Sequence, residues 1–195
     1  SALLLPAAIS RPVALAETFV DLGMSPLSNA FLTAAQLHRM EPFFPLHVWV
    51  CGSCFLVQLE AFETPEQIFG DYAYFSSYSD TWLEHCRRYV AEVVKRFPLG
   101  PGSLVVELAS NDGYLLQYFQ QRGIAVLGVE PARNVAKAAI AKGVPTEAVF
   151  FGRDSARRML AEGRAADLLI GNNVLAHVPD LNGFVAGMKI LLKPD

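Results

Sequence analysis

Two carboxylates and a run of small residues carry the most legible chemistry in this chain. Val105-Val-Glu-Leu-Ala-Ser-Asn-Asp-Gly-Tyr114 sets Glu107 near the end of an apolar run and follows it at once with Ala109, Ser110 and Gly113. Small residues let a ligand approach the backbone, and Gly113 can adopt angles closed to other residues. A carboxylate at Glu107 can meet a cationic amino group. About twenty residues on, Leu127-Gly-Val-Glu-Pro131 brings Glu130 to the end of a second apolar run, where an acid can accept both hydroxyls of a ribose. Alone, Glu130 is an ordinary strand-end carboxylate; with the first loop it forms half of a nucleoside site. A dinucleotide fingerprint needs small residues at 109, 111 and 114, but Asn111 and Tyr114 place bulk where a pyrophosphate needs bare backbone. That spacing disfavours a NAD-dependent Rossmann enzyme and leaves it as an alternative.

The elements that must position these residues follow from the rhythm of the chain. From Ser103 onward apolar runs alternate with amphipathic stretches. Strands are expected at 104–108, 125–129, 149–151 and 167–171, and helices at 114–122, 134–142, 155–162 and 181–192, with Gly123, Gly143 and Gly163 as stops. Four strand–helix units in series give an α/β fold with a parallel sheet and helices on both faces. Ligands of such sheets bind at the carboxyl ends of the strands, which is where Glu107 and Glu130 fall.

The preceding hundred residues read differently. Residues 1–62 form a small β-rich module, with a strand alternating through Phe44, Leu46, Val48 and Val50 and a return at 55–59. Cys51-Gly-Ser-Cys54 sits at the tip of that hairpin. Residues 63–100 form a helical linker and lid: Thr64-Pro-Glu-Gln67 is a helix-start signature. Leu83, Cys86, Val90, Val93, Val94 and Phe97 then mark the apolar face of a longer helix. Its basic residues Arg87, Arg88, Lys95 and Arg96 read as a solvated face. Pro98-Leu-Gly-Pro-Gly102 parts the linker from the third segment, 101–195.

Composition narrows the function classes. Of the 195 residues, 18% are charged and the net charge is −3, so there is no electrostatic footprint for nucleic acid or an anionic membrane. The longest uncharged run, residues 42–59, is broken by Pro42, Pro45, His47, Gly52 and Gln58, which argues against a membrane span. Three cysteines fit a reduced, cytoplasmic protein better than a disulfide framework. Leu3-Leu-Leu5 and Ala14-Leu-Ala16 faintly mimic a secretory leader, but Pro6 and Arg11 interrupt it and no basic start precedes it.

A family resemblance sharpens this reading. Glu107-Leu-Ala-Ser-Asn-Asp-Gly113 resembles the first motif of class I methyltransferases, which use S-adenosylmethionine. Leu127–Pro131 resembles their ribose-binding strand end, Asp167-Leu-Leu-Ile-Gly-Asn-Asn-Val-Leu-Ala-His-Val178 their fourth-strand motif, and Leu191-Leu-Lys-Pro194 the lead-in to a fifth strand. Asp21-Leu-Gly-Met-Ser-Pro-Leu-Ser-Asn29, the cysteine hairpin, Tyr72-Ala-Tyr-Phe-Ser-Ser77 and residues 172–177 resemble, more narrowly, the sugar C-methyltransferases. Those enzymes act at C-3 of nucleotide-linked 4-keto-6-deoxysugars. The resemblance implies that Glu107 meets the methionine amine, that Ala109, Ser110, Asn111, Asp112 and Gly113 surround the methionine moiety, and that Glu130 and Pro131 hold the ribose. Asn172, Asn173 and Val174 fall beside the cofactor, His177 faces the substrate, and Tyr74 covers the active site. The full-length form is expected to be a monomer whose partner is a small-molecule nucleotide-sugar substrate, with no nucleic acid and no membrane.

Two departures from the family pattern carry weight. Its front module uses two C-x-x-C pairs to close one zinc site, but here only Cys51 and Cys54 stand, with Ile9 and Pro12 where the first pair would fall. Two cysteines cannot close a tetrahedral structural site, so zinc stays uncertain, with His38 or His47 as further donors. In the family a later Y-H-E-H stretch supplies the catalytic base, and residues 1–195 do not contain it. The expectation is a fragment of a methyltransferase; the alternative is a binding module that keeps only the cofactor cradle.

Overall fold

The computed structural model describes residues 17–194. The would-be leader and the positions Ile9 and Pro12 lie outside the described residues. Two compact units part between Ile68 and Phe69.

The first unit is a three-stranded antiparallel sheet, β1 (Glu17–Ser25), β2 (Phe44–Val50) and β3 (Val57–Leu59), in the order β1-β2-β3. The expected cysteine hairpin is present: Cys51 N–H donates to Leu56 O (3.0 Å), closing the tip between β2 and β3. Strand β1 was not legible as a separate element, because its pairing with β2 is interrupted twice by register shifts. The helix-start signature forms as a reciprocal capping box. Thr64 N–H donates to Gln67 Oε1 (3.0 Å) and Gln67 N–H donates to Thr64 Oγ1 (3.3 Å), at the start of α1 (Pro65–Phe69).

The second unit is built on a parallel sheet of β4 (Leu104–Leu108), β5 (Ala125–Val129), β6 (Thr146–Glu147) and β7 (Leu168–Gly171), in the order β6-β5-β4-β7. β4 is central, bonded to β5 on one side and β7 on the other. Successive strand residues point to opposite faces. Val105, Val126 and Ile170 pack with Cys86 and Val90 of α2 (Asp80–Arg96) and with Leu116 and Phe119 of α3 (Leu116–Gln120). Val106, Leu108, Leu127 and Val129 pack on the other side. Their partners are Ala156 and Met159 of α5 (Arg153–Ala161) and Phe184 and Leu191 of α6 (Leu181–Leu191). α4 (Arg133–Ala141) adds Ala139 to the first side. The basic residues of α2 face solvent, with Arg87 and Arg88 paired to Glu84 and Lys95 to Glu92.

Two elements depart from the expected limits. The third strand lies at Thr146–Glu147, not 149–151: Gly128 N–H bonds Pro145 O (2.8 Å) and Glu130 N–H bonds Glu147 O (2.9 Å). A tight turn, Val149 N–H to Glu147 O (3.1 Å), then lifts the chain off the sheet. Val149 and Phe151 are apolar because they pack against the second core, with the Phe151 ring edge-on to Phe184 at 5.3 Å. The helix expected at 114–122 shrinks to Leu116–Gln120, because Gly113 and Tyr114 belong to the turn that closes the loop after β4. Beyond α6, Leu192 bridges Ala166 in parallel, with Ala166 N–H on Leu191 O (2.8 Å) and Lys193 N–H on Ala166 O (3.0 Å). The chain there starts back along the flank of β7.

Candidate functional site

The central position of β4 decides the environment of Glu107. It shares a face with Val105, and both faces of the strand are covered, so its side chain is fully buried. Neither carboxylate oxygen has a hydrogen bond of good geometry among the described residues, although Tyr114 and Asn172 lie near enough to favour its charged form. Burial pushes this carboxyl well above its usual range. Tyr114 and Asn172 partly offset that, and the charges of Glu130 and Asp112 add to it. The effect is mutual: burial and then Glu107 push the Tyr114 hydroxyl up, and the Cys86 thiol up to about 11.

The loop after β4 holds a run of left-handed backbone. Ala109 (φ 54°), Asn111 (φ 50°) and Gly113 (φ 78°) alternate with ordinary residues, and Asn173 (φ 51°) repeats the feature after β7. Such conformations in non-glycine residues cost about 1–3 kcal/mol each and persist only where surroundings dictate them. Here the N–H groups of Ala109 and Ser110 bond Val129 O (2.8 and 3.3 Å), and Asn111 N–H donates to Glu130 Oε2 (2.9 Å). The other oxygen of Glu130 accepts from Ala132 N–H (2.8 Å) at the start of α4. Burial raises the Glu130 carboxyl and those two N–H groups oppose the rise. Each oxygen keeps a free lone pair, so the group can still accept two hydroxyls. Pro131 follows directly and fixes the turn into α4.

Asn111 and Asp112 do something the sequence did not disclose: their side chains hold residues 72–77. Asn111 Oδ1 accepts from Ser76 N–H (2.8 Å) and its Nδ2 donates to Tyr74 O (3.1 Å). Asp112, fully buried, accepts from Ser77 N–H (3.3 Å), from the Ser77 hydroxyl, and from Lys142 Nζ (2.7 Å). Asn134 of α4 clasps Tyr72 reciprocally, through Tyr72 N–H to Oδ1 (3.0 Å) and Nδ2 to Tyr72 O (2.7 Å). The strap so held carries a line of rings. Phe69 lies edge-on to Tyr72 (5.7 Å) and to His177 (5.9 Å), and Tyr72 edge-on to Tyr74 (6.5 Å). Tyr74 and His177 are both exposed and thus belong to one aromatic group at the carboxyl ends of the strands. Asn172 reaches the Glu107 environment, whereas Val174 packs on the second core.

Sequence reasoning gave Tyr114 only as an obstacle to a dinucleotide, Ser76 and Ser77 only as part of a resembling stretch, and assigned no site role to Asn134 or Lys142. Lys142 at the end of α4 reads as a dipole complement, and nothing in the sequence ties it to Asp112.

These residues fit S-adenosylmethionine. Its ammonium supplies the charge and well-aligned donors that Glu107 lacks, and its ribose the hydroxyls that Glu130 can accept. A nicotinamide dinucleotide has no ammonium to offer Glu107. A methyltransferase-domain family matches residues 82–195, more than half of the chain. The chain belongs to that family. Its fold is the expected class I methyltransferase sheet, and its site residues fit S-adenosylmethionine. C-methyltransferase NovU of Streptomyces niveus is 36% identical over 176 residues, which are 90% of this chain and 42% of that protein. The chain therefore spans less than half the length of that curated relative. Among solved structures, magnesium protoporphyrin IX methyltransferase from Synechocystis PCC 6803 with bound SAM aligns at 20% identity and TM-score 0.46, over 57% of this chain and 54% of that one. A SAM-dependent methyltransferase from Anabaena variabilis aligns at 17% identity and TM-score 0.48, over 57% and 49%.

Residues 14–69 match a zinc-binding-type domain family. The donors do not make up a closed site. Among the described residues no group of three or more His, Cys, Asp or Glu could hold a metal ion, and residues 1–16 contain none of those four types. Cys51 is buried, with the N–H groups of Cys54 and Ser53 drawing its thiol below the usual value, while Cys54 is exposed. Two thiolates leave a tetrahedral metal half-ligated.

Proposed function

We propose that this protein is an S-adenosylmethionine-dependent C-methyltransferase that alkylates C-3 of a nucleotide-linked 4-keto-6-deoxysugar. The observation that carries the cofactor half is the buried Glu107, without a hydrogen bond of good geometry, beside Glu130 and the left-handed loop. The sugar half is supported by the resemblance of the strap and of residues 172–177, and by similarity to a protein named as a C-methyltransferase.

When bound, the cofactor supplies an electrophilic methyl group. The residues of this chain must orient it, exclude water and make the sugar carbon nucleophilic. Glu107 and Glu130 fix the two ends of the cradle. A carbon beside a ketone becomes nucleophilic once its proton is removed and the enolate oxygen is stabilised. His177 and Tyr74 are the exposed groups on the strap side that can hold that proton or donate to the oxygen. We read the reaction as cytoplasmic and the full-length protein as a monomer; the three free cysteines support a reducing compartment.

Calorimetry with S-adenosylhomocysteine and with NAD, followed by label transfer from methyl-labelled S-adenosylmethionine to a nucleotide-linked 4-keto-6-deoxysugar, tests both halves in the protein as its gene encodes it. Tighter binding of NAD would overturn the cofactor assignment. Transfer of label to oxygen or nitrogen, or none at all, would overturn the sugar assignment.

A further inference from the structure

We propose that Asp112, Lys142 and Ser77 form a latch that positions Tyr74 against the cofactor loop, which makes Lys142 and Ser77 positioning residues for methyl transfer. The assignment rests on the reading that Tyr74 faces the substrate. Asp112 is fully buried and its carboxylate bonds the strap: Ser77 engages it through both N–H and hydroxyl. Lys142 Nζ closes the triangle, donating to Asp112 Oδ2 (2.7 Å) and to Ser77 Oγ (2.8 Å). One residue earlier, Asn111 binds the strap at Ser76 N–H and Tyr74 O with its side chain and binds Glu130 with its backbone N–H. Adjacent residues of one left-handed loop thus meet the ribose-site acid on one side and the peptide of Tyr74 on the other. Moving the strap breaks charge-assisted bonds to Asp112, and moving the loop breaks the bonds at Asn111. Neither shifts alone, so the loop that receives the cofactor also sets where Tyr74 stands.

The test measures amide hydrogen exchange at Ser76 and Ser77, whose N–H groups bond Asn111 and Asp112, with the amides of β4 as internal reference. Lys142→Met removes the closing charge. Ser77→Ala removes the hydroxyl while keeping the Lys142–Asp112 pair, and so reads the latch should the first variant fold poorly. Loss of one charge-assisted bond should speed exchange of both strap amides about tenfold while leaving β4 unchanged. Ser77→Thr, which retains the hydroxyl, should restore protection. In the gene-length protein, turnover in Ser77→Ala should fall about tenfold, by more than the KM for S-adenosylmethionine rises. Unchanged exchange at Ser76 would overturn the latch, as would equal acceleration in β4. Loosened strap amides with wild-type turnover would overturn the positioning role. A wild-type protein that transfers no methyl group would count against the proposed function alone, since the exchange data still decide the latch.

Discussion

Replacing Glu107 by Gln should make the ligand-free protein more stable and the cofactor weaker, two effects of opposite sign from one atom change. Glu107 is fully buried with neither oxygen in a hydrogen bond of good geometry, and its carboxyl titrates well above the usual range, chiefly through burial. A folded-state value raised above the unfolded one means that the folded protein holds the extra proton. Stability is therefore highest below the unfolded value of about 4.3, falls as pH rises toward the folded value, and stays reduced above it. Gln cannot ionise, so the variant escapes that loss. A buried unsatisfied polar group costs about 1–3 kcal/mol, more when charged, and the stability gained by Glu107→Gln should be of that size at pH 8 and near zero at pH 4. Denaturant melts of both proteins at the two pH values give the difference directly, and titrating groups elsewhere cancel. Binding of S-adenosylhomocysteine should weaken by about ten- to a hundredfold, equivalent to about 1.5–3 kcal/mol for a charge-assisted contact. A variant less stable than wild type at pH 8, or one with undiminished affinity, would refute the idea that Glu107 is kept buried for a cation.

Glu130→Ala should lower S-adenosylhomocysteine affinity about ten- to a hundredfold, and should also loosen the Asn111 and Ala132 amides it accepts from, visible as faster hydrogen exchange there. Gly128→Ala should destabilise by about 1–3 kcal/mol in a denaturant melt, because the new methyl would stand 2.4 Å from Ser110 Oγ and 2.8 Å from Thr146 Oγ1 in packed surroundings. Glu147, drawn below its usual value first by Arg158 and also by Arg164, contributes stability above the unfolded value that is lost as pH falls through the folded one. Glu147→Gln should therefore cost about 1 kcal/mol at pH 7 and almost nothing at pH 3, read from melts at the two pH values.

The strands β4 and β5 were legible to the residue because a strand buried on both faces reads as a short, mostly apolar run, and 104–108 and 125–129 are such runs, broken only by Glu107 and Gly128 and each preceded by a glycine two residues upstream. β6 was misplaced for the same reason. Val149 and Phe151 look like strand residues but are apolar for a different contact, while Thr146–Glu147 pairs through its backbone and shows no pattern. Glu107 and Glu130 could be found because strand ends and acids are both visible in a sequence. The strap was visible only through its family resemblance, and its bonds were not: they join residues such as Ser77 and Asp112, 35 positions apart, through side chains that read as ordinary loop chemistry. The cysteine hairpin was legible and the partners that would complete a metal site were not, since the described residues supply no third donor.

The site is also built by leaving atoms out. Glu107 and Gly128 are register partners on β4 and β5, so any side chain at 128 would project onto the face that Glu107 occupies. The absent Cβ leaves the volume that Ser110 Oγ fills, and Ser110 stands there only because Ala109 and Asn111 on either side of it turn left-handed. A larger residue at 128 would push Ser110 outward, and with it the Asn111 N–H that anchors Glu130. At Gly113 the added methyl would meet Val144 at 2.8 Å, and the φ of 78° forbids relief by rotation. Two glycines nearly a strand–helix unit apart thus fix one loop: Gly128 gives it depth and Gly113 ends it. The acids then take their places at strand ends whose positions the sheet has already set. That order of causes accounts for a carboxylate that the fold alone would not tolerate. The loop keeps Glu107 fully buried, and a ligand that brings a cation to its carboxylate stabilises the folded state by mass action.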